Sequence, residues 1–531
     1  MQITKEFRAS MNWFHTWLGI AMSGILFVIF WMGTLTVFHL EINRWMMPEL
    51  RSVAQVDGPI DPIVVPKFAE LEIEPESSVF IGPASDRSPY TRLVKFGGTS
   101  ELQTFHLHPE TGEEITLTET LGASGFFYPF HYSLHVSWLG LGYWIVGLAA
   151  MAMLILTVSG IFIHRKIFQD FFTFRPKKAS RRSTLDLHNM TAIVALPFHI
   201  LFPLSGVLIF ALIYFPNAML TGYGGDRLAL AKDNSGFYVP ELAGEPGTLP
   251  DSIDMYVERA EAIWKERGGS QATADGIRII HAGDANSIVM VHHTFPKRTV
   301  AMTQGNMTFS TATGEIQNDF IPQPIQNTSA WLEGAHFIRF DSWAVRWLFF
   351  LGGLAGSAMI ATGMLFWMRS RIRKGMESMS VRVVRALTIG TTTGIMTASA
   401  MFLVANRMLT NDAAAFGLGR AGLEVAAFFA VWIVTFVHAG VRDKRAWKDQ
   451  CWSMATLCVL AVALNWATTG GHLLETLSQR QWAVAGVDLI LMTTAFLAVA
   501  AALRLNAVQT NDPEMLRSVQ KTALPEVLPA E

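Results

Sequence analysis

The sequence predicts a mainly α-helical polytopic membrane protein whose core is a duplicated helical hairpin. Three observations carry this: long apolar runs, a histidine–glycine spacing that recurs, and two long polar inserts. Of the 531 residues, 51% are hydrophobic and 16% charged, whereas soluble proteins average about 25% charged. A helix needs roughly 20 apolar residues to cross a bilayer. Eight such runs are present, at about 12–38, 139–163, 190–214, 344–368, 383–406, 419–440, 451–468 and 482–505.

The first and third apolar runs share one spacing of histidine and glycine. His15 precedes Gly33 by eighteen residues, and His188 precedes Gly206 by the same number. Imidazole is costly in hydrocarbon, so an intramembrane histidine indicates a function. The recurrence predicts two equivalent hairpins that hold a ligand between their helices. Small-residue steps, which favour close helix packing or let a flat cofactor approach the backbone, recur at Gly33-Thr34, Ser159-Gly160, Ser205-Gly206 and Thr362-Gly363.

The distribution of basic residues predicts which loops are cytoplasmic. Lys5 and Arg8 place the N-terminus in the cytoplasm by the positive-inside rule, and eight crossings return the C-terminus there. The long intervals 41–137 and 216–342 are then periplasmic in a bacterium. The loops predicted to be cytoplasmic carry Lys166, Arg175, Lys177, Lys178, Arg181, Arg182, Arg369, Arg371, Arg373, Lys374, Arg442, Lys444 and Arg445.

Neither a cleaved leader nor a disulfide framework is expected. The first apolar run is too long for a signal peptide, and no small-residue cleavage site follows it. Cys451 and Cys458 lie in one apolar run, on one helix face, which predicts two packed core residues.

The two inserts contain the same strand–turn–strand pattern. Strands flank the tight turns at Thr111-Gly112-Glu113 and Thr313-Gly314-Glu315. The second insert adds a predicted helix over 251–267, with an aspartate as candidate N-cap, and predicted strands at 277–283 and 287–293. Each insert is therefore expected to be a small α+β module with a helix over an antiparallel sheet.

The predicted organisation has seven parts, the core being the four helices of the two hairpins. They are 1–40, cytoplasmic tail and first transmembrane helix; 41–137, first insert; 138–215, second and third transmembrane helices with the basic loop; 216–342, second insert; 343–370, fourth transmembrane helix; 381–507, four further transmembrane helices; and 508–531, cytoplasmic tail.

Histidines mark both ends of the four core helices. His15 and His188 begin runs on the cytoplasmic side, and His135 and His336 precede runs on the periplasmic side. Haem iron takes axial ligands from opposite sides of its ring, and helical bundles supply them from facing helices. The pattern predicts two b-type haems, with iron held by His15 and His188 near one face and by His135 and His336 near the other. The chain has no Cys-x-x-Cys-His, so covalent attachment is excluded.

Three further histidines compete for these roles. His131 lies one turn before His135, and His164 ends the second run and could replace His15 or His188. His199 lies about 16 Å deeper than His188, near mid-bilayer. It is predicted to be a haem ligand, a partner of a haem propionate or a step on a charge path. Zinc is disfavoured because the histidines are spread over both faces.

The histidines of the first insert carry a weaker signal. His106 and His108 alternate along a predicted strand and point to one sheet face. That spacing is compatible with weak metal binding, but the favoured interpretation is that they are ordinary surface histidines.

The chain resembles the bacterial PepSY-associated transmembrane proteins, which include inner-membrane ferric-siderophore reductases and iron-regulated membrane proteins. The resemblance covers the first four apolar runs and both inserts. It rests on NWFHTWLGI (12–20), EINRWMMPE (41–49), FHYSLH (130–135), SGIFIHRKIFQDFFTFRP (159–176), LDLHNMTAIVALPFHILFPLSG (185–206), WLEGAHFIRF (331–340) and ATGMLFWMRSR (361–371).

The resemblance implies a haem-containing four-helix core, two periplasmic PepSY-like modules and electron delivery to a ferric siderophore or other ferric chelate. No flavin or ferredoxin-reductase domain is fused, so the donor is expected to be a cytoplasmic protein or a membrane quinol. The expected surroundings are the bacterial inner membrane, without a nucleic-acid partner. Two alternatives stay open, a PepSY-based binding or protease-regulating protein and a siderophore or metal permease with structural haem. The family's histidines match His15, His131, His135, His164, His188, His199 and His336.

Overall fold

The structure is a computed structural model that describes residues 4–53, 58–164, 180–267, 273–294, 305–340, 342–372 and 378–510. Most of the basic loop predicted to be cytoplasmic, including Lys166, Arg175, Lys177 and Lys178, lies outside the described residues, as do Arg373, Lys374 and the C-terminal tail from residue 511. The described part is mainly helical and contains one antiparallel sheet.

The chain up to Ile372 contains the helices of the predicted core and the short helices of the inserts. In order they are α1 (Lys5–Thr36), α2 (His39–Met46), α3 (Asp61–Val64), α4 (Gly122–Gly125), α5 (Phe127–Ser133), α6 (Leu141–Ile163), α7 (Ser180–Val194), α8 (Leu196–Ile209), α9 (Ala211–Tyr214), α10 (Asn217–Tyr223), α11 (Arg227–Ser235), α12 (Asp254–Glu266), α13 (Pro324–Phe337) and α14 (Trp343–Ile372).

The C-terminal part is a bundle of long helices. They are α15 (Met379–Ile389), a π-helical turn (Gly390–Gly394), α16 (Ile395–Met408), α17 (Arg420–Arg442), α18 (Ala446–Thr469), α19 (Leu473–Ser478) and α20 (Trp482–Thr510).

Several helices are long and apolar enough to cross a membrane, which confirms the predicted polytopic class. Six such segments occur within the described residues, and the bent pair α7–α8 is a seventh. The segment Arg420–Thr469 contains two antiparallel helices, since Gln450 on α18 donates a hydrogen bond of 2.9 Å to the Thr435 carbonyl on α17. In a straight helix those residues would lie about 22 Å apart. Each of the eight predicted runs therefore falls on helix.

The third crossing element is broken in its middle. Helices α7 and α8 meet at 65° with Ala195 at the junction. Pro197 stands in the first turn of α8, where it lacks an N–H to donate and disfavours a helical residue before it. The sequence predicts one continuous helix over this run, but the break places His188 on α7 and His199 on α8.

The strands of both inserts form one continuous seven-stranded sheet. The order is β3-β2-β1-β4-β5-β6-β7, all antiparallel, and β1 of the first insert pairs with β4 of the second. This corrects the expectation of two separate modules. Both Thr-Gly turns are present, but the turn at Gly112 is followed by an isolated bridge between Leu107 and Glu114 rather than by the predicted strand. The strands are β1 (Ser78–Gly82), β2 (Thr91–Phe96), β3 (Gln103–Leu107), β4 (Thr273–Ile280), β5 (Ile288–Thr294), β6 (Gly305–Ser310) and β7 (Ile316–Phe320).

Two aspartates fasten the inserts to each other through helix N-termini. The Asp61 carboxylate accepts from the Asp254 backbone N–H, and the Asp254 carboxylate accepts from the backbone N–H groups of Ile60 and Asp61. Each side chain thus caps the helix of the other insert and satisfies N–H groups that a helix start leaves free. The expected cap of α12 by an aspartate is therefore supplied from the first insert.

A buried polar cluster joins the C-terminal bundle to the first hairpin. Arg407 donates to the Trp45 and Met46 carbonyls of α2, and its guanidinium lies 4.8 Å from the Trp45 ring centre. The Trp45 indole N–H donates to Asp488 on α20 over 2.8 Å. Helices α16 and α20 thereby hold the segment that begins the first insert.

We expect Glu424→Ala to lower the free energy of unfolding by about 3–5 kcal/mol, because it leaves a buried guanidinium without its counter-charge. Glu424 is fully buried 3.5 Å from Arg420, which is also buried. Thermal unfolding in detergent measures the effect. The matched control is Glu70→Ala, which breaks the exposed Lys67–Glu70 pair and should cost less than about 1 kcal/mol. Equal losses would contradict the account.

Candidate site of paired histidines

Two pairs of histidine rings lie inside the four-helix core. The bundle end near Thr36 and Leu141, from which the inserts extend, is called the sheet side, and the end near Lys5 and Ile163 the loop side. His15 and His188 form the loop-side pair, with ring centres 6.4 Å apart and planes at 81°. The sheet-side pair consists of His131 on α5 and His336 on α13, with ring centres 6.0 Å apart.

Each ring of the loop-side pair is anchored through Nδ1 on a neighbouring helix. His15 Nδ1 lies 3.0 Å from the Ser159 hydroxyl of α6, and that hydroxyl donates to the Leu156 carbonyl. The serine oxygen is therefore the acceptor, and Nδ1 carries the proton. His188 Nδ1 lies 2.8 Å from the Met359 carbonyl of α14, which can only accept. Both rings are thus in the same tautomer.

The sheet-side pair repeats this arrangement. His131 Nδ1 lies 2.9 Å from the Ile29 carbonyl of α1. His336 Nδ1 lies 2.8 Å from the Ser205 hydroxyl of α8, whose own proton goes to the Leu201 carbonyl. One ring of each pair is held by a serine hydroxyl and the other by a backbone carbonyl, so the two hairpins place equivalent histidines with different anchors.

Each ring also lies against a glycine of the helix that anchors it. A Cβ at Gly33 would come within 2.7 Å of His131 Cε1, and one at Gly363 within 3.2 Å of His188 Cε1. At Gly160 and Gly206 the corresponding distances to His15 and His336 are 3.5 and 3.3 Å. Three of the four positions allow no side chain without displacing the ring or a neighbour. The glycines of the small-residue steps therefore pack directly against the histidine rings.

The anchoring determines which nitrogen can bind a metal. A proton on Nδ1 leaves the lone pair on Nε2, and a hydrogen bond from Nδ1–H orients the ring and makes Nε2 more basic. A metal–imidazole bond is about 2 Å long and the ring centre lies about 1 Å behind its nitrogen, so imidazoles on opposite sides of one metal have centres about 6 Å apart. Both pairs meet that requirement.

The donor set suits haem better than a metal ion held by protein alone. Each site brings together two imidazoles, the number of axial ligands of a six-coordinate haem, at ring-centre separations of 6.4 and 6.0 Å. No group of three or more histidine, cysteine or carboxylate side chains with metal-binding geometry occurs among the described residues. A zinc site would need three or four such ligands on one centre. The residues therefore fit haem at both positions.

The two pairs are separated along α1. The Ile29 carbonyl, which anchors His131, lies fourteen residues after His15, a rise of about 21 Å. His199 and Phe30 occupy the interval, with ring centres 6.4 Å apart. The His199 side chain is buried and its Nε2 lies 3.3 Å from the Thr191 carbonyl, next to the helix break. His199 therefore lies between the two pairs, and its predicted roles stay predictions.

The predicted pairing of His135 with His336 is corrected by the structure. His135 follows α5 with a left-handed backbone (φ 53°), and its ring stacks on Phe126 at 5.0 Å. Its Nε2 donates to the Phe126 carbonyl over 2.9 Å, so that nitrogen is committed to the protein. His131, one turn earlier, takes the place opposite His336. His164 is the residue that ends α6, one turn beyond Gly160 on the loop side.

Other predicted features have simple outcomes. Cys451 and Cys458 are free and buried, as predicted. His106 lies in β3 beside the Tyr90 ring, with ring centres 5.0 Å apart, while His108 lies beyond the strand in the turn. The two histidines do not share a strand, so the predicted alternation ends at Leu107.

The backbone carbonyls of Ile29 and Met359, which anchor two of the rings, could not be predicted from the sequence, because every residue type has a carbonyl acceptor. A signal for the serines existed. Ser159-Gly160 and Ser205-Gly206 are the same dipeptide. In each, the serine hydroxyl anchors a histidine and the glycine packs against the same ring.

Residues 12–370 match the family described as the PepSY-associated TM region. The matched segment runs from within α1 to within α14, includes the sheet and both histidine pairs, and covers more than half of the chain. The protein therefore belongs to the PepSY-associated transmembrane family. A comparison with curated proteins gives no match.

We expect Ser205→Ala to weaken a cofactor bound by the sheet-side pair ten- to a hundredfold, because it removes the acceptor that orients His336. The midpoint potential of that site should rise, since a less basic axial imidazole stabilises ferric iron less. A redox titration of the purified protein measures both effects. Ser23→Ala is the matched control, because that buried hydroxyl donates only to the Ile20 carbonyl. An unchanged potential in the Ser205 variant would contradict the assigned role.

Proposed function

We propose that the chain is a dihaem reductase of the bacterial inner membrane that passes electrons across the bilayer to a ferric siderophore or other ferric chelate. The observation that carries the proposal is the repeated histidine pair, in which all four Nδ1 atoms are hydrogen-bonded to the protein. This leaves four Nε2 atoms for two irons. The ring separations of 6.4 and 6.0 Å support axial ligation at both positions.

The protein supplies position and electrostatics, and haem bound at these sites would supply reversible one-electron chemistry. His15 and His188 would hold one haem b, and His131 and His336 the other. The glycines keep the rings in place, and the apolar helices exclude water from the bundle. No general acid or base is needed, because reduction of Fe(III) to Fe(II) is electron transfer alone.

The arrangement along the membrane supports transfer from one side to the other. The pairs are offset by about 21 Å along α1, and the aromatic rings of Phe30 and His199 fill part of the gap. The positive-inside rule puts the loop side in the cytoplasm and the sheet side in the periplasm. Electrons would enter at the loop-side pair from a cytoplasmic protein or a membrane quinol. The ferric chelate would be reduced at the sheet side, below the inserts.

Proteoliposomes test the proposal directly. Protein is reconstituted with a reductant sealed inside, a ferric chelate is added outside, and an impermeant Fe(II) indicator reports the product. We expect Fe(II) to form outside only when haem-loaded protein is present, and to be lost in the double variant His188→Ala/His336→Ala. The assignment would be overturned if haem-loaded protein formed no external Fe(II) in vesicles where part of the protein is shown to expose its sheet to the outside. Uptake of intact chelate without reductant would favour a permease instead.

A further inference from the structure

One face of the sheet is packed and the opposite face is partly open. Val79, Leu93 and Ile277 point to the packed face, beneath α12, and are fully buried. The opposite face is covered over β4 and β5 by the segment around Phe237 and Tyr238. Over β1, β2 and β3 it is not closed, since Arg92 and Thr104 are exposed and their neighbours only half-buried.

The open face combines guanidinium groups with aromatic rings. The Arg92 guanidinium lies 5.3 Å from the Phe80 ring centre. Arg278 lies between two rings, 5.6 Å from that of Phe96 and 5.5 Å from that of Phe237. Since alternate residues share a sheet face, Phe80, Arg92, Phe96 and Arg278 lie on one surface, called the open face here.

Within the described part of the chain, no ion pair neutralises the charge of the open face. Among the described residues, neither Arg92 nor Arg278 has a carboxylate within ion-pair distance. The Nε atom of Arg278 is buried and has no hydrogen-bond partner in that part of the chain. His106 pairs with Arg92 across the ladder, and His292 pairs with Gly276 next to Arg278, which adds imidazoles rather than acids.

One end of the open face lies on the side of the sheet that meets α2. The strand ends at Gly82 and Gly276 turn towards the helices, because Arg87 of the β1–β2 loop forms a buried ion pair with Glu41 of α2. Arg339, three residues after His336, carries a positive charge near α2. It adds to the burial and the Arg87 charge that lower the pKa of His39 on α2 to about 4.

We infer that the open face binds an anionic, aromatic ferric chelate, of which tris-catecholate complexes are the chemical class. This deepens the proposed function, on which it rests, by naming the kind of substrate. A ferric tris-catecholate is a trianion with flat rings at its surface. The unpaired guanidiniums complement its charge and are planar groups that stack on aromatic rings, and the rings of Phe80 and Phe96 hold these guanidiniums in position. A ferric trihydroxamate is neutral and lacks both features.

Gallium(III) complexes test binding apart from reduction, because gallium(III) matches iron(III) in charge and geometry and is not reduced. The purified full-length protein is dialysed against the gallium complex of a hexadentate tris-catecholate, and bound gallium is counted. The same measurement with a neutral gallium trihydroxamate provides the comparison. Binding in this assay requires neither electrons nor a donor, so its outcome is independent of the proteoliposome assay.

We expect the trianion to bind at least tenfold more tightly than the neutral complex, and less tightly as salt is raised. The double variant Arg92→Gln/Arg278→Gln should lose at least tenfold in affinity. The matched control is Arg259→Gln, whose guanidinium lies 5.4 Å from the Phe309 ring on the packed face; it should stay within twofold of the parent. If the double variant fails to fold, Arg92→Gln alone, at an exposed position, should lose at least threefold.

Equal binding of the two complexes, or an Arg92→Gln affinity within twofold of the parent, would overturn the inference. External Fe(II) formation in the proteoliposomes together with that result would refute the chelate class and leave the reductase standing. Anion-selective binding without any reduction would refute the reductase.

Discussion

Single substitution of one histidine in each pair should remove one haem and leave the other. In His188→Ala the loop-side site keeps only His15, and in His336→Ala the sheet-side site keeps only His131. Because axial ligation of each iron takes both rings, each variant should bind one haem per chain where the parent binds two. Haem extraction with pyridine, normalised to protein, measures the ratio.

His135→Ala is the control for this prediction. His135 donates a hydrogen bond to the Phe126 carbonyl and stacks on the Phe126 ring. It is therefore not available as a haem ligand, and this variant should keep both haems. His131→Ala should behave as His336→Ala does. If His135→Ala lost a haem and His131→Ala kept both, the sheet-side pair would be misassigned.

Gly33→Ala should empty the sheet-side site although every histidine is retained. The new methyl group would come within 2.7 Å of His131 Cε1 and 2.8 Å of its Nδ1, distances that force the ring to move. A site that must hold its ligands within about 0.5 Å tolerates little displacement. We expect the haem content to fall to about one per chain, with the remaining haem at the loop side.

Gly19→Ala is the matched substitution on the same helix. A Cβ there would meet only Leu156 Cδ2, at an ordinary contact distance of 3.8 Å. It should leave two haems and an unchanged melting temperature. A loss of haem in both glycine variants would point to general packing of α1 rather than to the His131 ring.

Much of the core could be predicted because its repeat is local in sequence. The spacing of His15 from Gly33 and of His188 from Gly206 recurs on equivalent helices, and His15 and His188 do face each other. The turns at Gly112 and Gly314 were predictable for a related reason, since both glycines have positive φ, at 70° and 69°.

The exchange of His131 for His135 could not be predicted from spacing alone. Both lie near the start of the second core helix, and the difference arises from a left-handed backbone at Leu134 and His135, with φ of 52° and 53°. That turn ends α5 and directs His135 towards Phe126, into the aromatic cluster with the C-terminal bundle. Such conformations in non-glycine residues are set by tertiary packing rather than by local sequence.

The joining of the inserts is also a tertiary effect. The β1–β4 pairing links residues about two hundred positions apart, Val79 with Ile279, and each strand pattern is equally compatible with an isolated module. The reciprocal caps of Asp61 and Asp254 are likewise visible only once both inserts are together. The polar cluster around Arg407 explains how the last helices attach, where the sequence shows only isolated charges in apolar runs.

The central claim is that two irons are held by paired imidazoles within one chain, and the visible and electron paramagnetic resonance spectra of the purified protein test it most directly. We predict two haem b per chain, sharp α and β bands after dithionite, and low-spin ferric signals from two distinct bis-imidazole sites. Purified, folded protein that shows no Soret band after expression with sufficient haem would contradict it, as would a high-spin spectrum from a single haem.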